Sequence, residues 1–227
     1  MYRVLEAFAH QFDVQQGLDV FIEKKLPSQA GLGGGSSDAA TALMVANQLW
    51  QLNHSKETLI DFAAPFGADI PCFIYGKASL ARGIGEQLSD YPHTIPPEHV
   101  VLAWPNVGVS TAASFDHFDE EYFHALTKEK VMVKVRARSD GGDFDLGYND
   151  LEKSSAALCP PLKSLLSVMR QQSVRAWMSG SGSTCVALCH SAKDATSLVD
   201  FITSQGLASW VHHGYFLSMH PLEKNGA

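Results

Sequence analysis

The sequence predicts an α+β protein of two domains. Three observations carry the expectation: apolar residues recur at helical spacing in several stretches, short apolar stretches of strand character lie between them, and a turn-rich zone divides the chain. Val4, Leu5, Phe8 and Phe12 place an amphipathic helix almost at Met1. Leu18 to Ile22 is apolar and β-branched and reads as a strand, and an alanine-rich helix runs from Asp38 to about Gln51. Lys56 to Phe66 is a second helical stretch that ends at the turn Gly67 to Pro71, after which Cys72 to Tyr75 reads as a short buried strand. The zone Asp90 to Pro97 carries three prolines and sets the expected boundary, giving domains 1–92 and 93–227.

In the second half, Val100 to Trp104 reads as a strand ending at Pro105, and Thr111 to Leu126 as a loop entering a helix. Ser139 to Asp145 is a glycine and aspartate turn, and Leu162 to Gln172 is another helix. Trp177 and Met178 precede a small-residue cluster, Ser179 to Ser183, and Thr184 to Cys189 alternates like a strand. Leu198, Val199 and Ile202 stripe a helix over Ala195 to Ser204, and Trp210 to Leu217 supplies a last strand. Antiparallel sheets covered by helices are expected, and no internal repeat appears.

Composition narrows the function. The 227 residues are 45% hydrophobic and 18% charged, enough to bury a sizeable core. A formal charge of −7 without a basic run argues against a general nucleic-acid or membrane-surface role and for a small-molecule partner. No apolar run reaches the roughly 18 residues of a membrane span, and no secretory pattern opens the chain, so a cytoplasmic location is expected. Cys72, Cys159, Cys185 and Cys189 form no CxxC pair and read as reduced thiols. The histidines are scattered, and His212-His213 reads as a surface pair. Oligomeric state is not legible.

The chemistry concentrates in Leu26 to Ala40, LPSQAGLGGGSSDAA. Gly31, Gly33, Gly34 and Gly35 allow left-handed backbone and let N–H groups close on an anion. Ser36 and Ser37 lead into a helix whose first turn has unpaired N–H groups and the positive end of the macrodipole. The Ser37 hydroxyl could cap the helix, hold phosphate or ligate Mg²⁺. A glycine linker is the plain alternative, but the strand-like stretch before the loop and the helix after it favour a strand-loop-helix unit. No Walker lysine follows the glycines and the dinucleotide order is absent, so backbone would hold the phosphates.

Taken in order, PSQAGLGGGSSDAA, GADIPCF, ARGIGE, NDLE and MSGSGSTCVAL resemble the GHMP kinase superfamily over nearly the whole chain. GADIPCF with NDLE narrows the resemblance to its kinases of cytidylylated methylerythritol, in the non-mevalonate isoprenoid pathway. The resemblance implies a ribosomal S5 domain 2-like N-terminal domain, a ferredoxin-like C-terminal domain, and phosphorylation of the substrate's 2-hydroxyl by ATP with Mg²⁺. It assigns Asp69 as the group that activates that hydroxyl; as an isolated Gly-Ala-Asp, the same residues would read as a surface turn. Leu26 and Pro27 match a segment lining the adenine side, with Lys24 ahead of it, though a strand end with a solvated lysine is an equal reading. Thr111 and Phe115 match a polar and an aromatic contact to cytidine, and Phe115 reads equally as a core anchor. Gly180, Ser181 and Gly182 match a close-approach loop beside the site, and Asn149 and Asp150 receive a structural role.

One departure stands at the start. The family opens with a lysine-containing KxN strand and a DGYH-like segment that this chain does not carry ahead of its first helix. The expectation is therefore an N-terminally truncated kinase with little or no activity alone, and poor solubility or a loosely packed first domain. A non-catalytic nucleotide-binding remnant and another small-molecule kinase of the superfamily are the alternatives.

Overall fold

The computed structural model describes residues 1–92, 99–128, 147–173 and 175–224. The chain forms two compact units: Met1–Ser28, Gly33–Pro97 and Phe216–Ala227 make the first, and Gln29–Leu32 with Glu98–Tyr215 the second. Two short pieces thus lie with the unit on the other side of the expected boundary, the first half of the glycine loop and the C-terminal segment.

The first unit packs helices around one core. Helix α1 (Tyr2–Gln11) buries Val4 and Phe8, one helical turn apart, as its periodicity requires. Helix α2 (Gly34–Leu49) meets it with Ala39, Ala40 and Leu43, where small side chains let the helices approach. Helix α3 (Lys56–Ala63) starts at Ser55, whose hydroxyl accepts from the Thr58 N–H at 3.3 Å, and runs into a 3₁₀ turn, Ala64–Phe66. Phe8 is wholly buried and lies edge-on to Phe12 and Phe62, with ring centroids 4.9 and 5.0 Å away.

Three expectations for this unit are corrected. Cys72 to Tyr75 is not a strand but part of α4 (Ile70–Tyr75), because Pro71 sits in the first turn, where its missing N–H costs nothing, and Gly76 ends the helix in the left-handed region at φ 79°. Leu18 to Ile22 forms no strand: no described strand pairs with it, and Phe21 is 91% exposed. Helix α2 begins at Gly34, inside the glycine run, rather than at Asp38. A hairpin that no alternation had signalled, β1 (Ser79–Arg82) with β2 (Gln87–Asp90), spans ARGIGE at its turn.

The second unit is a four-stranded antiparallel sheet of order β4-β5-β3-β6, from β3 (His99–Trp104), β4 (Arg175–Met178), β5 (Cys185–Cys189) and β6 (Trp210–Tyr215). Helix α5 (Thr111–Lys128), α6 (Glu152–Leu158) and α7 (Pro160–Gln172) connect β3 to β4, and α8 (Ala192–Ser204) connects β5 to β6. With β3, β4, β5 and β6 in sequence, that strand order is the ferredoxin-like arrangement. Leu162, Leu165, Leu166 and Met169 of α7, and Ala195, Leu198 and Ile202 of α8, close over Val101, Ala103, Ala176, Met178, Cys185 and Ala187. Ser191 caps α8 by accepting from the Asp194 N–H at 3.2 Å. Helix α6 escaped the periodicity reading because it is short and carries adjacent serines. In the C-terminal segment of the first unit, α9 (Pro221–Lys224) follows His220, whose N–H donates to the Gly76 carbonyl at 2.6 Å.

The alternation of β6 separates the two adjacent histidines. His213 meets His99 of β3, with ring nitrogens 3.0 Å apart, and His212 stacks on Trp210. All four cysteines are free thiols. No helix among the described residues is long and apolar enough to cross a membrane. The turn expected at Ser139 to Asp145 lies outside the described residues.

Candidate active site

In the first unit, the site is built on the start of α2. Gly33 is its N-cap residue, left-handed at φ 63°, and no side chain caps the helix. The first helical hydrogen bond runs from the Ser37 N–H to the Gly33 carbonyl at 2.9 Å, so the Gly34, Gly35 and Ser36 N–H groups lie in the turn that has no helical acceptor. A Cβ on Gly35 would meet nothing within 4 Å, so the space beside this residue is open. Ser36 and Ser37 are half-buried.

Gly33 also fixes what stands beside this turn. A Cβ at Gly33 would lie 3.0 Å from the edge of the Phe73 ring and 3.9 Å from Asp69 Oδ2. Asp69 immediately precedes α4, and its carboxylate is exposed next to the α2 N-terminus. Two features hold its turn. The Cys72 thiol donates to the Asp69 carbonyl at 3.1 Å, and Gly85 of the hairpin turn sits so close to Ala68 that a Cβ there would lie 2.8 Å from the Ala68 carbonyl oxygen. Burial pushes the Cys72 thiol up to about 11, and the Asp69 charge beside it acts in the same direction.

The other predicted residues of the loop entry lie close by. Leu26 Cδ1 would be 3.6 Å from a Cβ on Gly34, so Leu26 flanks the first turn, and Pro27 beside it is half-buried. Lys24 Nζ pairs with Asp38 at 2.5 Å, which makes it a tether of the entry segment to α2.

In the second unit, the first half of the glycine loop packs on the Ser179 to Ser183 turn. Gly31 has φ 76°, and a Cβ there would lie 2.5 Å from the Ser179 carbonyl oxygen and 2.6 Å from that of Gly182. Only glycine permits this backbone-to-backbone approach. The Ser179 hydroxyl donates to the Gly31 carbonyl at 2.8 Å, and the Thr184 N–H donates to the Ala30 carbonyl at 3.1 Å. A Cβ on Gly180 would come 3.0 Å from the Gly31 carbonyl oxygen. Thr111 Oγ1 and Ser181 Oγ are 2.8 Å apart, and Phe115, one turn along α5, is 49% exposed. Exposure separates Phe115 from a core anchor.

The geometry therefore brings Asp69 together with Gly33, Gly34, Gly35, Ser36, Ser37, Leu26 and Pro27, and separately brings Gly31 together with Gly180, Ser181, Gly182 and Thr111. Phe73, Gly85 and Ser179 lie in the motifs and clusters the sequence displays but are not among its predicted site residues. Each acts by shape or by one hydroxyl against a carbonyl, and such roles carry no spacing signature.

Residues 1–77 match the GHMP kinases N terminal domain and residues 138–207 match the GHMP kinases C terminal family. The chain is 35% identical over 218 residues to the 4-diphosphocytidyl-2-C-methyl-D-erythritol kinase of Desulfitobacterium hafniense (strain Y51), covering 93% of the chain and 74% of that protein. It is 38% identical over 171 residues to the protein of the same name from Polaromonas naphthalenivorans (strain CJ2), covering 75% of the chain and 56% of the relative. The chain thus spans between about half and three-quarters of the length of these relatives. Among solved structures, a 4-(cytidine 5'-diphospho)-2C-methyl-D-erythritol kinase superposes with a TM-score of 0.72 at 28% identity, over 94% of this chain and 76% of that one. The uncapped glycine-serine turn, the neighbouring carboxylate and these likenesses lead to one conclusion: the chain belongs to the GHMP kinases, in the family of the 4-diphosphocytidyl-2-C-methyl-D-erythritol kinases.

Proposed function

We propose that the chain carries the phosphoryl-transfer site of a small-molecule kinase that moves the γ-phosphoryl group of ATP to the 2-hydroxyl of 4-diphosphocytidyl-2-C-methyl-D-erythritol. The supporting observation is the Asp69 carboxylate beside the uncapped first turn of α2. The family's named activity supplies the substrate. Backbone N–H groups of Gly34, Gly35 and Ser36 take the terminal phosphates, where the helix dipole favours negative charge. Leu26 and Pro27 border the nucleotide, and Lys24 keeps this segment on α2 through Asp38. Thr111 and Phe115 are assigned to the cytidine end of the substrate, one by a hydroxyl and the other by an exposed ring face. Gly180, Ser181 and Gly182 hold the loop from which Gly31 approaches.

The substrate hydroxyl oxygen attacks the γ-phosphorus, its proton passes to Asp69, and ADP departs with the bridging oxygen. The half-buried Ser37 hydroxyl in the first turn of α2 is the side chain that would hold Mg²⁺ brought in with the nucleotide, and the ion would supply neutralisation of the phosphate charge.

The test is ATP-dependent phosphorylation of the cytidylylated methylerythritol, with ATP affinity measured in parallel. Asp69→Asn should lower kcat by at least about 10³-fold while leaving nucleotide affinity within about threefold. Full activity in that variant would remove Asp69 from its role. A parent chain that binds ATP without turnover would favour a nucleotide-binding module.

A further inference from the structure

The geometry points to Asn149 and Glu152, both in NDLE, as positioning residues for the nucleotide loop, acting through the 178–182 turn. The inference rests on the phosphate-loop reading above and extends it to residues that touch neither nucleotide nor substrate.

Asn149 and Glu152 fix opposite sides of that turn. The Asn149 amide nitrogen donates to the Met178 carbonyl at 2.9 Å and to the Gly180 carbonyl at 2.7 Å, which uses both of its N–H groups. Its oxygen accepts from the Leu151 N–H at 3.0 Å, so the side chain has a single workable orientation. Glu152 accepts from the Met178 N–H at 3.1 Å through Oε2, and its Oε1 pairs with Arg170 at 2.6 Å. Arg170 in turn donates from Nε to the Ala176 carbonyl at 3.1 Å, and the Ser155 hydroxyl donates to the Ser181 carbonyl at 3.0 Å. Backbone polar groups at Ala176, Met178, Gly180 and Ser181 are therefore bonded to side chains from α6, α7 and the residues just before α6.

The turn passes this placement to the glycine loop. Its Ser179 hydroxyl and Thr184 N–H hold the Gly31 and Ala30 carbonyls, and the contact around Gly31 leaves no room for a methyl group. Two residues further along the chain is Gly33, which opens α2 and its phosphate-facing N–H groups. A shift of the turn thus moves the covalent anchor of the first turn of α2. Loss of placement by fractions of an ångström is enough to weaken a backbone anion site, because each N–H bond depends on distance and angle.

The experiment uses the full chain, with two readouts: exchange of the Thr184 amide proton without nucleotide, and affinity for ATP with Mg²⁺. Asn149→Asp keeps the shape but turns a two-bond donor into an acceptor facing two carbonyls. It should speed Thr184 exchange and weaken ATP at least about tenfold. Ser179→Ala removes one bond to Gly31, leaves the rest of the clamp, and should weaken ATP about three- to tenfold; it serves if Asn149→Asp does not fold. Ser191→Ala, which removes the α8 cap in the same unit, controls for general destabilisation and should leave ATP affinity unchanged. Unchanged Thr184 exchange in Asn149→Asp, or ATP affinity within twofold of the parent in the folded variants, overturns the inference. So does an equal loss in Ser191→Ala, which would mark a structural effect only. A parent chain that binds no ATP overturns the phosphate-loop reading instead, and Thr184 exchange then decides alone whether the clamp holds the loop.

Discussion

Gly31 in the second unit and Asp69 in the first show, each in its own surroundings, how much is decided by single atoms. At Gly31 the constraint is double: φ is 76°, and a Cβ would stand 2.5 and 2.6 Å from two backbone carbonyl oxygens that no rotamer change can move aside. Gly31→Ala should cost the second unit about 2–4 kcal/mol, from left-handed strain plus overpacking. Urea denaturation followed through Trp177 fluorescence would measure it. At Asp69 the decisive quantity is position. The sequence could offer an aspartate after Gly67 and Ala68, but not the contacts that hold its backbone, the Cys72 thiol on the Asp69 carbonyl and Gly85 against Ala68, which form only through the turn of α4 and the hairpin.

At the scale of elements, caps and prolines decide more than apolar spacing does. Ser55 accepts the Thr58 N–H and starts α3, so Ser55→Ala should destabilise the first unit by about 1 kcal/mol, read as a lower thermal midpoint. The helices with long apolar stripes, α1, α7 and α8, were legible because their buried residues recur at the helical period, and β3 and β5 as short apolar runs; β5 is buried at all five positions rather than alternating. Cys72 to Tyr75 was misread as a strand because four apolar residues are too few to show a period, while Pro71 and Gly76, the residues that define α4, also fit a turn. Leu18 to Ile22 failed for another reason: β-branched residues favour a strand only where a neighbour completes the ladder. The glycine-serine loop was legible, and its helix starts earlier than expected because Gly33 serves as the cap.

For the molecule as a whole, two cores without a common residue divide the work. One packs α2 against α1, α3 and α4 and so sets the uncapped first turn of α2 beside Asp69; the other holds Met178, where the turn that bonds Ala30 and Gly31 begins. Phe8 is the largest wholly buried side chain in the first core. Phe8→Ala should lower the stability of that unit by about 3–5 kcal/mol, and faster amide exchange in α2 and α3 would report it. Phe8, Phe12 and Phe62 form an aromatic cluster in that core. The most direct measurement is a titration of the ¹⁵N-labelled chain with ATP and Mg²⁺, following every backbone amide. The Gly34, Gly35 and Ser36 amides should shift most, in the direction of stronger hydrogen bonding, and α8 should stay still. Shifts centred on another element, with these three amides unmoved, would contradict phosphate binding at the start of α2.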